Sequence, residues 1–193
     1  MTNIFLSGVG GQGIILASEL LSYAALKSGY DVKKSEVHGM AQRGGSVISA
    51  VRFGKKVHSP LVTHGEADFL LSFEILEALR NINYLKPTGK LITSTQSIMP
   101  LGVSSGDDKL PRDINHRIEK ATRSPIFIDA ISLAKEAGNT RTANVVLLGA
   151  LFPFIGLDED IFIEVMKERI KPRFVDVNIT AFNLGKEAVQ TYV

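Results

Sequence analysis

The sequence predicts an α/β protein with a Rossmann-like, doubly wound, mostly parallel sheet, flanking helices and a helical C-terminal part. Three observations predict it. Ile4-Phe5-Leu6 is a short apolar run ending at Gly8, and Ile14, Ala17, Leu21 and Ala24 follow at spacings of three and four, which reads as a strand, a glycine turn and a helix. Val32 to Val37 then reads as a second strand, so the opening is a βαβ unit, a crossover that is right-handed in nearly all proteins and implies parallel pairing. From Ile131 onward the pattern is mainly helical.

Taken in order, the first helix is expected to stop at Gly29, a good left-handed C-terminal residue. Gly39 to Gly45 is a polar loop, Val47 to Phe53 has the β-branched content of a strand, and Gly54-Lys55 suits a two-residue hairpin turn. Further strands are predicted at Phe69 to Phe73, Lys90 to Thr93 and Ile126 to Ile128, with helices at Glu74 to Tyr84 and Ile114 to Arg123. Ser94 to Asp113, rich in Ser, Gly, Pro and Asp, is expected to be a mobile loop, either a lid or ordinary surface. The C-terminal helices are predicted at Ile131 to Ala137, Thr142 to Phe152, Asp158 to Ile170 and Arg173 to Thr191.

Composition narrows the function classes. With 193 residues, 45% of them hydrophobic, the chain supports one substantial core and is expected to be a single domain over 1–193. Lys and Arg number 22 against 20 Asp and Glu, and the doublets Lys33-Lys34 and Lys55-Lys56 form no basic stripe, so nucleic acid is not expected as a partner. There is no Cys, hence no thiolate nucleophile and no cysteine-held iron–sulfur cluster on this chain. Met1-Thr2-Asn3 runs straight into an apolar strand with no basic leader, and the longest apolar stretch, Ala143 to Leu157, is shorter than a bilayer span and interrupted by Pro153. A cytoplasmic protein without membrane contact is expected.

Gly8-Val9-Gly10-Gly11-Gln12-Gly13 satisfies G-x-G-x-x-G between a strand and a helix, where free N–H groups and the positive helix end favour an anion. Glu36 stands about 20 residues on, where the dehydrogenase version of this motif holds a ribose. The competing explanation is that these glycines only permit a tight turn and close packing.

The next segment, Ser35-Glu36-Val37-His38-Gly39-Met40-Ala41-Gln42-Arg43-Gly44-Gly45-Ser46, is more polar than a dehydrogenase needs. Together with the Gly8 to Gly13 turn, it resembles the γ-type domain of the 2-oxoacid:ferredoxin oxidoreductase family, most closely its indolepyruvate branch. Ala67 to Leu71, Glu77 to Arg80, Leu85 to Lys90, Asn144 to Ala150 and Asn178 to Gly185 carry the resemblance along nearly the whole chain. The resemblance implies a hetero-oligomer in which a large partner subunit holds thiamine diphosphate and 4Fe-4S clusters, while this chain carries no redox cofactor. It further implies oxidative decarboxylation of a 2-oxoacid, transfer of the acyl group to coenzyme A and reduction of ferredoxin, which this chain meets only indirectly. Such a subunit is expected to be inactive alone and to expose an apolar patch on which it forms a homodimer when isolated.

Within this chain the cofactor-binding candidates are Gly8, Gly10, Gly11, Gln12, Gly13, Arg43, Gly44 and Gly45. A planar guanidinium bordered by glycines suits the phosphates of coenzyme A or a substrate carboxylate; equally, Arg43 suits an acidic residue of a partner subunit. Glu36, His38 and Gln42 are assigned to an interface or active-site loop rather than to acid–base catalysis, because a lone His in a polar loop is more often a hydrogen-bonded surface residue. No residue is assigned as catalytic. His58, His64 and His116 are too dispersed for a metal site, and none is predicted. Asn144 reads as a satisfied capping-region amide or a contact. The alternatives are a stand-alone NAD(P)- or flavin-binding oxidoreductase, and a non-enzymatic nucleotide- or coenzyme A-binding module.

Overall fold

The computed structural model describes residues 1–38, 45–100, 103 and 111–192. Its centre is a six-stranded sheet in the order β2-β3-β1-β4-β5-β6. The strands are β1 (Thr2–Val9), β2 (Asp31–His38), β3 (Ser46–Gly54), β4 (Ala67–Ser72), β5 (Leu85–Ser94) and β6 (Ile126–Ile128). β1, β4, β5 and β6 pair in parallel, whereas β3 lies antiparallel to both its neighbours. The sheet is thus mixed but mostly parallel, with helices on both faces.

The opening unit differs from expectation. β2 does run in the same direction as β1, but β3 is inserted between them. The physical reason is local: β3 follows β2 closely in the chain and pairs with it as an antiparallel hairpin, and its other edge pairs with β1. Gly54-Lys55 is likewise not a hairpin turn. Both edges of β3 are already taken, and residues 55–66 run without regular structure to bring the chain to the far side of β1, where β4 adds in parallel.

Among the described residues seven helices flank the sheet: α1 (Ile14–Lys27), α2 (Ile75–Asn81), α3 (Ile114–Ala121), α4 (Ala130–Glu136), α5 (Ala143–Leu151), α6 (Glu159–Arg169) and α7 (Val175–Glu187). α1 ends as the sequence predicts. Gly29 takes φ +82°, and Gly29 and Tyr30 donate their N–H groups back to Leu26 and Ala25, at 2.9 and 3.1 Å.

Period-two alternation along β1 divides the core. Ile4 and Leu6 face α1, α4, α5, α6 and α7, where Phe152, Phe162 and Phe182 form an aromatic cluster with centroids 5.0–5.1 Å apart. Phe5 faces the other side, packing with Leu70, Leu91 and residues of α2 and α3. Every residue of β1 from Asn3 to Val9 is buried, as befits a central strand. Among the described residues no helix is long and apolar enough to cross a membrane.

Candidate functional site

The parallel strands β1, β4 and β5 end side by side, and in open α/β sheets ligands bind beyond such carboxyl ends. β1 leads into α1 on one face and β4 into α2 on the other, so the chain diverges at this point. A cleft of about 400 Å³ opens here. One wall is the glycine turn, Gly11 to Gly13, the floor includes Phe73, Ser94 and Gln96, and the facing wall is Thr140, Arg141, Ala143 and Asn144 at the start of α5.

Gln12 ties the three strand ends together. Its Oε1 accepts from the N–H of Val9 at 2.8 Å, and its Nε2 donates to the carbonyl of Phe73 at 2.8 Å and to Oε1 of Gln96 at 2.9 Å. The glycines divide into two roles. A Cβ at Gly8 would crowd Phe73 and Gln12, and one at Gly13 (φ +81°) would lie 2.5 Å from Nδ2 of Asn144, so these two permit close packing. Gly11 (φ +104°) has open space beside it and presents its backbone to the cleft.

The end of the polar loop reaches the same place. Gly45 accepts a hydrogen bond from the N–H of Gly10 at 2.9 Å. Gln42, Arg43 and Gly44 lie outside the described residues, as does the side chain of His38. Residues 101, 102 and 104–110 of the stretch expected to be a mobile loop are outside them too; residues 95–100 run without regular structure.

Glu36 is not brought to the cleft. It stands opposite Ser49, which in turn stands opposite Leu6, so a whole strand separates it from β1. Its Oε1 accepts from Lys34 Nζ at 2.6 Å and Ser18 Oγ at 3.4 Å. The ribose-holding role needs this carboxylate on the strand next to β1, and the inserted β3 removes it from there. His64 packs edge-on to Tyr84 at 4.5 Å, and no three metal-ligating side chains converge among the described residues. Asn144, half expected to be a cap, donates to the carbonyl of Gly13 at 3.3 Å and so joins α5 to the glycine turn.

Three features of the site escaped sequence reading. Arg141 carries an exposed side chain on the cleft wall, and its backbone N–H donates to Asn139 Oδ1 at 3.0 Å. The signal was a polar run, Asn139 to Thr142, at the mouth of a helix that is apolar but for Asn144. The other two are the buried carboxylates of Glu74 and Glu77. Glu74 caps α2, accepting from the N–H of Glu77 at 2.8 Å and of Ile98 at 3.0 Å. Burial pushes its carboxyl above the usual carboxylate range, against the pull of those amides. Glu77 accepts from Ser46 Oγ and Arg80 Nη1, both at 2.6 Å. The pair therefore fastens the residue after Gly45 on one side and the chain after β5 on the other.

A mostly parallel sheet with helices on both faces and a glycine turn at its strand ends defines a Rossmann-like α/β protein. Comparison with known proteins supplies the family. Residues 3–188 match the family described as Pyruvate ferredoxin/flavodoxin oxidoreductase. The chain is 48% identical over 193 residues to indolepyruvate oxidoreductase subunit IorB of Pyrococcus horikoshii, covering 97% of this chain and 96% of that protein. It is 37% identical over 187 residues to the same subunit of Archaeoglobus fulgidus, covering 95% and 92%. The keto/oxoacid ferredoxin oxidoreductase gamma subunit from Geobacter sulfurreducens is structurally similar, with a TM-score of 0.74, 26% identity and 99% coverage of both chains. The chain belongs to the pyruvate ferredoxin/flavodoxin oxidoreductase family and is a subunit of a 2-oxoacid:ferredoxin oxidoreductase complex.

Proposed function

We propose that this chain, as a single γ-type domain over 1–193, is the small subunit of a cytoplasmic oxidoreductase acting on an aryl 2-oxoacid of the indolepyruvate type. Near full-length identity to indolepyruvate oxidoreductase subunits is the observation that carries the substrate class. The lack of Cys supports a division of labour in which a large partner subunit holds thiamine diphosphate and 4Fe-4S clusters and passes electrons to ferredoxin. Thiamine supplies the carbanion chemistry of decarboxylation, and this chain supplies orientation and charge.

The cleft residues fit an anionic ligand. Gly11 and Gly13 offer backbone at a helix start, Gly10 anchors the turn to Gly45, Gln12 holds the turn rigid, and Arg141 provides a cation. These residues are assigned, with Arg43, Gly44 and Gly45, to the phosphates of coenzyme A; Gly45 is tied to the turn through Gly10. Gly8 supports the turn from beneath. His38 and Gln42 are assigned to the contact with the partner subunit.

Co-expression with the large subunit tests this reading. The complex should reduce ferredoxin with indolepyruvate and coenzyme A, and Arg43→Ala should raise KM for coenzyme A. Loss of assembly in Arg43→Ala would make the loop a fastener instead. Isolated, the chain should be colourless and without turnover, and added NADH should leave its melting temperature unchanged. Turnover by the isolated chain with a bound nucleotide would sink the proposal.

A further inference from the structure

The sheet treats its two edges differently. β6 is three residues long, with Ile126 and Ile128 buried. β2 runs for eight residues, none of those from Asp31 to Val37 is buried, and among the described residues its backbone groups bond only to β3. A long open edge is a template for another strand.

The sequence of that edge selects its partner. A two-fold axis perpendicular to the sheet would lay β2 of a second copy antiparallel to the first. Paired residues must then share a face, so the axis passes through one residue rather than between two. An axis at Lys33, Lys34 or Glu36 sets like charges face to face, and axes nearer the ends pair only a few residues. An axis at Ser35 sets Lys34 opposite the second copy's Glu36, and Glu36 opposite its Lys34, while the stem of Lys33 covers Val37, which is 57% exposed.

We propose that β2 is a self-association edge on which a second copy of this chain pairs antiparallel about Ser35, joining two six-stranded sheets into one. Lys34 and Glu36 already meet at 2.6 Å on the face toward α1, so the pairing builds a network of four alternating charges. Lysines on an edge strand commonly deter pairing. Here the deterrent is cancelled in one register alone, which gives specificity as well as attraction.

Light scattering on the full-length chain provides the test, with the 21.0 kDa mass as the monomer reference. The wild type should weigh twice that. Lys34→Glu and Glu36→Lys should each weaken association by about tenfold or more, with melting temperatures close to wild type. Mixed together, the two variants should form a one-to-one dimer, because every introduced charge then faces its opposite across the axis; an ion pair within each chain does not predict this rescue. A monomeric wild type, undiminished single variants, or a mixture that stays monomeric would each overturn the proposal. None of these readouts involves the redox complex, so a failure here leaves the proposed function standing.

Discussion

The N–H of Gly10 donates to the carbonyl of Gly45 over 2.9 Å, joining two motifs that lie 35 positions apart. The glycine turn after β1 is therefore tied to the residue that leads into β3. Gly10 and Gly45 meet because β3 lies directly beside β1, with Val9 opposite Ser46. The inserted strand that removes Glu36 from a ribose-holding position is thus the same one that brings Gly45 to the glycine turn.

Arg141 should matter for affinity more than for turnover. In the assembled enzyme, Arg141→Ala removes an exposed cation from the cleft wall and no described ion pair. KM for coenzyme A is expected to rise about tenfold, equivalent to about 1.4 kcal/mol, with kcat changed much less. Steady-state kinetics with coenzyme A varied would check this, and the melting temperature should stay near wild type.

Gln12 should couple stability to the site. Gln12→Ala deletes an amide that bridges the ends of β1, β4 and β5, leaving the N–H of Val9 and the carbonyl of Phe73 without that partner. A loss of about 1–3 kcal/mol is expected by urea denaturation. Coenzyme A affinity should fall as well, since Gly11 is held by the same turn.

Gly149 and Gly185 should be intolerant for a reason unrelated to ligands. They face each other where α5 crosses α7: a Cβ on Gly149 overlaps the carbonyl of Phe182, and one on Gly185 overlaps that of Val146. These are backbone atoms of packed helices and have nowhere to go. Gly185→Ala is expected to cost about 3 kcal/mol or more, measured by chemical denaturation.

Glu74 should make stability depend on pH in a particular direction. Its folded carboxyl binds a proton more tightly than an unfolded glutamate does, chiefly because it is buried. Its contribution is therefore full below the unfolded value of about 4.3 and is lost as pH rises through its higher folded value. Asp31, Glu66 and Asp129 are shifted downward by hydrogen bonds and give the opposite slope in more acid solution. The stability of wild type minus Glu74→Gln should fall with rising pH above about 4.3, as followed by thermal melts. A flat difference curve would contradict the burial argument.

Much of the fold was legible because it is written in local periodicity. The Ile14 to Ala24 spacing gave α1 and its stop at Gly29, and Ile126 to Ile128 gave β6 with its observed bounds. Pairing was less legible. Val32 to Val37 announces a strand but not its neighbour, because an inserted hairpin and an adjacent parallel strand have the same period. The glycine turn and Gly45 were legible as site candidates, whereas Arg141, Glu74 and Glu77 were not, since a polar residue at a helix start carries no mark of what it faces.

By itself the sequence determined the absence of thiol ligands, the strand and helix inventory, and the two glycine-bordered segments that carry the family resemblance. Only the tertiary structure decided that β3 lies between β1 and β2, that Gly10 meets Gly45, and that Arg141 closes the cleft. The reason is physical. Composition and periodicity act through each residue's own chemistry and its near neighbours, whereas a site is a set of long-range approaches, and these are chosen by the order in which strands add to a sheet.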